Sequence, residues 1–202
     1  MSVLVIGGGG HAKVVIATLR AAGVAVAGVL DDDAAKHGST LLGVPVIGSV
    51  ERATGGEHDA VIAVGHNATR KRIAESLPDV RWATVVHPHA VVHESVRLGE
   101  GAVVFAGAVV QPDARLGAHT IINTGASADH DNELGDYVHL APGVRLAGGV
   151  TLEEGAFMGI ASAALPGVRV GAWTTVGAGG VVTRDLPSGV TAVGVPACPL
   201  SF

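Results

Sequence analysis

The feature that most constrains this 202-residue chain is an aliphatic period of six. Stepping by six from Val86 to Val182 visits seventeen residues, of which fifteen are Ile, Leu, Val or Met; Ala128 and Ala164 are the exceptions. Those residue types make up under a third of the chain, so chance would supply about five. Four residues beyond nearly every one of these positions stands a small or β-branched residue, from Ala90 to Thr174, with Asn132 as the departure. An amphipathic helix repeats near 3.6 residues and a half-buried strand near 2, so neither accounts for a strict six over this length. A triangular prism of short strands does: each strand sends one aliphatic side chain inward, and three strands close a coil of eighteen residues. Gly99, Gly117, Gly135 and Gly171 mark the eighteen-residue period, with Glu153 in the remaining place, and are expected at corners that need a small residue or a positive φ.

Composition supports a fold made of tight turns, with 30 glycines beside only 3% aromatic residues. A formal net charge of −5 leaves no broad basic field, which argues against a nucleic-acid partner. No basic segment precedes an apolar stretch at the N-terminus, and no apolar run reaches the roughly 20 residues needed to cross a bilayer. The single cysteine, Cys198, rules out an internal disulfide framework. These features together predict a cytoplasmic protein with no membrane partner.

Residues 1–80 fall outside the six-residue register and are expected to form a small Rossmann-like α/β domain, with 81–202 forming the left-handed parallel β-helix and a short tail. Val3 to Ile6 reads as a buried strand, Gly7 to Gly10 as a tight loop, and His11 to Ala22 as a helix with Val14, Val15, Thr18 and Leu19 inward. Val24 to Leu30 and Ala60 to Val64 read as further strands, and a basic helix is expected from about Thr69. Gly7-x-Gly9-x-x-Ala12 matches a dinucleotide fingerprint, but about 80 residues supply only half of a full dinucleotide site, so a single nucleotide fits better. Free N–H groups at the start of the helix suit a phosphate, and a carboxylate at a strand end, Asp31 or Asp32, can accept from ribose or base.

The repeat pattern and the closing Gly194-Val195-Pro196-Ala197 resemble the hexapeptide-repeat acyltransferases. Together with Gly7-Gly8-Gly9-Gly10-His11-Ala12-Lys13, the Asp31-Asp32 pair and Gly65-His66-Asn67, the chain is similar to the sialic-acid O-acetyltransferase and UDP-amino-sugar N-acetyltransferase family. The resemblance implies acetyl-CoA as co-substrate, no metal, and a small domain that binds a nucleotide sugar through Gly9, Gly10, His11, Asp31, Asp32 and Gly65. Lys13 or Arg70 would then be available for phosphate. Cys198 stands where many members carry Lys or Arg, so Arg184 is a candidate to supply that charge.

Among ten histidines, His130 stands out because two breaks of the repeat flank it: the inward position shrinks to Ala128 and the small position becomes Asn132. Acetyl transfer needs a group that accepts the proton of the nucleophile near neutral pH, and imidazole has the right pKa. His130 is therefore the expected general base, with Asp131 at the place where the resembling family carries an acidic residue that raises its basicity. His139 lies nine residues on, half a coil away, and is expected on another side of the prism; a six-residue side spans at most roughly 20 Å. The two would serve one site only across a subunit boundary. The resemblance implies a homotrimer with acetyl-CoA in the groove between neighbours, contacted at His139, Ile160 and Ala178. Gly148, eighteen beyond His130, is expected to stack on it and leave room for the pantetheine arm. The residues leave open whether the acceptor is an amine or a hydroxyl; two anchored substrates favour the amine of a nucleotide-linked amino sugar. A non-catalytic sugar-nucleotide-binding module is the reading of another class.

Overall fold

The computed structural model describes residues 2–56 and 58–200. The N-terminal part is a five-stranded sheet in the order β3-β4-β2-β1-β5, comprising β1 (Ser2–Ile6), β2 (Ala25–Leu30), β3 (Thr40–Leu41), β4 (Val44–Gly48) and β5 (Asp59–Ile62). All neighbours are parallel except β3 and β4, an antiparallel pair that the sequence pattern does not announce. Helix α1 (Gly10–Ala21) buries Ala12, Val15, Ile16 and Leu19. Val14, expected inward, is 39% exposed, and Ile16 takes its place. With a 3.6-residue repeat the buried stripe runs at i, i+3, i+4 and i+7 from Ala12, which excludes Val14.

From Val85 to Val182 the chain winds through two-residue strands that stack in register into three parallel sheets, and Thr191–Val193 then extends the first sheet and pairs antiparallel with Cys198–Pro199. The first face carries Val85, Val103, Ile121, His139, Phe157 and Thr175; the second Val91, Val109, Ser127, Arg145, Ala163 and Val181; the third Arg97, Arg115, Glu133, Thr151 and Arg169. Every aliphatic position from Val104 to Val182 lies in one buried column, with Val86, Val92 and Leu98 partly covered at the open first coil. The small residues four places further on, Ala102 through Thr174, are buried too.

Of the two reasons expected for the corner glycines, the structure shows the need for a small residue and not the positive φ. Gly99, Gly117 and Gly135 do not adopt positive φ; a Cβ on Gly99 would stand 2.4 Å from the Gly117 carbonyl carbon, so these positions are glycine because adjacent coils touch there. Positive φ instead recurs every six residues from Gly101 to Gly179, through Asp113, His119, Asp131, Tyr137, Ala161 and Trp173 as well as glycines.

The two parts share a core. Val3, Val5, Ala12, Val15, Ile16 and Leu19 pack in one buried cluster with Val85, Val103, Phe105 and Ile121, so α1 lies between its own sheet and the first face of the prism. Helix α2 (Asn67–Ser76) fastens to a prism edge by polar groups: Asn67 Nδ2 donates to the carbonyls of Gly155 (3.0 Å) and Ala156 (3.3 Å), and Lys71 pairs with Glu154 at 2.6 Å.

Candidate active site

The loop after β1 leaves its backbone open to approach at Gly9 and Gly10. A Cβ on Gly9 or Gly10 would meet nothing within 4 Å, so neither glycine is demanded by packing, and Gly9, at the N-cap of α1, offers no side-chain cap. Its first N–H groups therefore face outward with no side chain answering them, the arrangement that attracts a phosphate. Asp31 latches this loop: its Oδ2 accepts from Gly8 N at 2.7 Å and from Lys36 Nζ at 2.8 Å, and its Oδ1 accepts from Asp33 N at 2.9 Å. Partial burial pulls its carboxyl upward, but these donors outweigh burial and hold it below the usual carboxylate range. Asp32 Oδ1 accepts from Val50 N at 2.9 Å and is otherwise exposed.

The fold brings His11, Gly65 and His139 together where the strand ends of the small domain meet the first prism face. The His11 ring packs edge-on to Phe105 at 5.3 Å and stands 6.2 Å from the His139 ring. Its Nε2 is buried without a partner, and burial, aided by the Arg70 charge, lowers its pKa to about 4. His139 is only 7% exposed, and its pKa falls to about 3, first through burial and then through Arg70. Its ring bonds to the Gly65 carbonyl at 3.0 Å and to the Asn123 amide at 3.1 Å. Asn123 had no sequence signal beyond standing next to an inward aliphatic residue. Arg70, expected to be available for phosphate, is 1% exposed and fully engaged with protein carbonyls; the helix that carries it is docked against the prism. Lys13 is exposed on α1.

His130 sits on the edge between the second and third faces, the edge opposite the small domain. The Asp131 φ of +58° turns the chain there. His130 Nδ1 lies 2.8 Å from Asp131 Oδ2, and since a carboxylate only accepts, Nδ1 carries the proton and Nε2 is left with a lone pair. The bond that Nδ1 donates to Asp131 raises the His130 pKa above its ordinary value. Asn132 is fully buried, and its Nδ2 donates to the carbonyls of Asp129 and Ala147 (3.0 Å), which fixes the turn on which His130 stands. Gly148 stacks on His130 as expected, but the room above it is filled by the imidazole itself: a Cβ there would lie 2.5 Å from Nε2. Ile160, 55% exposed, and Ala178 follow one another a coil apart on the edge between the first and second faces. Arg184 Nη2 reaches to 3.6 Å from Cys198 Sγ, so a cation does occupy the neighbourhood of Cys198.

A hexapeptide prism with an exposed imidazole–carboxylate pair on one edge and an α/β domain seated on the opposite face defines a two-domain acyltransferase of the β-helix class. The PglD N-terminal domain family matches residues 2–77. The chain aligns over 100% of its length, and 98% of the other chain, with perosamine N-acetyltransferase from Caulobacter crescentus, at 45% identity and a TM-score of 0.94; that structure is of a histidine-to-asparagine variant in complex with CoA and GDP-perosamine. It aligns likewise with the acetyltransferase domain of PglB from Neisseria gonorrhoeae in complex with acetyl coenzyme A, covering 98% of each chain at 36% identity and a TM-score of 0.92. A GDP-perosamine N-acetyltransferase from Escherichia coli O157:H7 is 32% identical over 143 residues, 67% of this chain and 65% of the relative, so the matched segment spans about two thirds of that protein. The chain belongs to the sialic-acid O-acetyltransferase and UDP-amino-sugar N-acetyltransferase family.

Proposed function

We propose that this protein transfers the acetyl group of acetyl-CoA to the amino group of a nucleotide-linked amino sugar. The observation that carries the reading is the His130–Asp131 pair, a base with its Nε2 free, on a chain that aligns end to end with a perosamine N-acetyltransferase bound to CoA and GDP-perosamine. The sugar amine attacks the thioester carbonyl while His130 Nε2 takes its proton; the carbon–sulfur bond then breaks, and the CoA sulfur leaves and is protonated. Asp131 holds the tautomer and stabilises the imidazolium that forms.

In this reading the nucleotide lies over Gly9, Gly10 and His11, with its phosphates on the start of α1, Asp31 and Asp32 at its base or ribose, and Gly65 toward the sugar. Acetyl-CoA runs past Ile160 and Ala178 to His139. His130 and His139 stand on an edge and on the face opposite it, which supports a site completed by a second subunit and hence a homotrimer. Both substrates are cytoplasmic metabolites, and we place the enzyme in that compartment. The test is thiol release from acetyl-CoA with GDP- and UDP-linked 4-amino sugars set against sialic acid and against hydrolysis without acceptor. Turnover confined to amino sugars is expected. Turnover only with sialic acid would move the reading to O-acetylation, and binding of a sugar nucleotide with no thiol release would make the protein a sensor.

A further inference from the structure

Arg70 is the one Lys or Arg among the described residues that is buried, and no carboxylate pairs with it. Its Nε donates to the His119 carbonyl at 2.8 Å, Nη1 to the carbonyls of Val64 (3.1 Å) and Gly65 (3.3 Å), and Nη2 to Asn67 Oδ1 (3.0 Å) and the Tyr137 carbonyl (2.6 Å). Burial lowers its pKa to about 9, which leaves it charged at neutral pH. Desolvating a guanidinium against neutral oxygens is a poor route to stability, since an apolar side chain would fill the same space. What the five bonds do accomplish is geometric, because they join the end of β5 to two prism corners in one planar fork.

The Gly65 carbonyl is shared between Arg70 and His139 Nδ1. A carbonyl only accepts, so His139 Nδ1 bears the hydrogen. On the other side of the ring, Thr124 N donates to Asn123 Oδ1 at 2.8 Å, which orients the amide; Asn123 Nδ2 then faces His139 Nε2 at 3.1 Å and must donate to it. Both ring nitrogens are thereby assigned: His139 is neutral, in the Nδ1–H form, the reverse of the tautomer that a histidine side chain favours in water.

We propose that Arg70 is a positioning residue, which through the Gly65 carbonyl locks His139 as a neutral Nδ1–H imidazole and so fixes the orientation of the Asn123 amide beside it. Its consequence for turnover rests on the acetyl-transfer reading; the tautomer itself does not. The charged or titratable groups facing His139 are Arg70 from α2 and His11 from α1, and the β-helix offers only neutral Asn123 and Phe157. Both facing groups oppose a proton on the ring, in the same direction as burial.

Long-range nitrogen–proton spectra of the histidine-labelled full chain test this, with the His139 signal identified by its loss in His139→Gln. Wild-type protein should show the Nδ1–H pattern from about pH 8 down to about pH 5.5. An Nε2–H pattern or an imidazolium near neutral pH overturns the proposal. In Arg70→Gln the single tautomer should give way to a mixture, the His139 ring should take up its proton at a higher pH than in wild type, and kcat/KM should fall about tenfold or more. Arg70→Lys, which keeps the charge without the fork, should loosen the tautomer yet leave the pH of ring protonation in place. If Arg70→Gln lowers only Tm and leaves both the tautomer and the pH of ring protonation unchanged, Arg70 is a structural tie and the proposal fails. Should that variant not fold, the wild-type spectrum decides alone. Spectra as expected in a protein that acetylates no amino sugar would retire the catalytic reading and leave the assigned tautomer standing.

Discussion

A carboxylate bonded to an imidazole makes it a stronger base and narrows the pH range in which it is unprotonated. The His130 pKa is raised, first by the hydrogen bond that its Nδ1 donates to Asp131, so with His130 as the proposed base activity needs a pH above that raised value and falls as pH drops through it. Asp131→Asn removes the carboxylate: the acid limb of kcat should shift to lower pH while the plateau falls, because the freed imidazole is a weaker base and no longer held in one tautomer. A pH–rate profile checks both signs, and an unmoved limb would take Asp131 out of the mechanism. His130→Ala should lower kcat by about 10² to 10⁴ with cofactor binding little changed. Gly148 offers a subtler probe. Its missing Cβ is what lets the ring lie against the next coil, and the ring, though bonded to Asp131, is exposed enough to be pushed aside. Gly148→Ala should leave Tm within a degree or two and still cost about tenfold or more in kcat by displacing Nε2; unchanged turnover would show that the base acts from another position.

At the scale of elements, the period of six located every strand of the prism from Val86 to Val182 because each repeats the same packing problem, and Ala128 and Ala164 could not mask the register; the strand Thr191–Val193, outside that period, was not announced. What glycine does was less legible. A glycine that bends the chain and a glycine that lets two backbones touch look alike in sequence, and only stacking separates Gly135, where a Cβ would stand 2.7 Å from Glu154 N, from Gly143, which has φ of +73° and where a Cβ would come no nearer than 4.0 Å to Ala161 Cα. Gly135→Ala should therefore cost about 1–3 kcal/mol. Gly143→Asn should cost under about 1 kcal/mol, since Asn tolerates positive φ and the same corner register already holds Asp113 and Asp131. Thermal unfolding ranks the two, and the reverse order would refute this division. Helix α1 misled for a related reason: its buried stripe faces both a sheet and the prism, so Ile16 rather than Val14 turns inward. In α2 a polar stripe at i, i+3 and i+4, Asn67, Arg70 and Lys71, was the available sign of a docking face, and polarity hid it because such stripes usually face water.

Over the whole molecule, the small domain covers one face of the prism and leaves the opposite edge, with His130, to meet something else. The Gly9–Gly10 loop, Gly65 and His139 are on the covered side, so a sugar held there, as proposed, would be far around the prism from His130 of its own chain. If the base comes from a neighbour, inactive subunits should repair one another. One partner is His130→Ala. The other cannot be altered at Gly148, which lies under His130 and belongs to the same half-site; Ile160→Asp suits, because Ile160 is exposed on the edge between the first and second faces and its loss spares the core. Each variant alone should be nearly inactive. After denaturation and joint refolding, a hybrid trimer sets an intact cofactor edge of one chain against an intact His130 of the next. With random mixing at equal ratio, one interface in four joins two undamaged halves, so about a quarter of wild-type activity should return. Native mass spectrometry would establish that hybrids formed. Activity that stays at the parental level in such a mixture, or full activity in a monomer, would place a complete site within each chain and end the shared-groove reading.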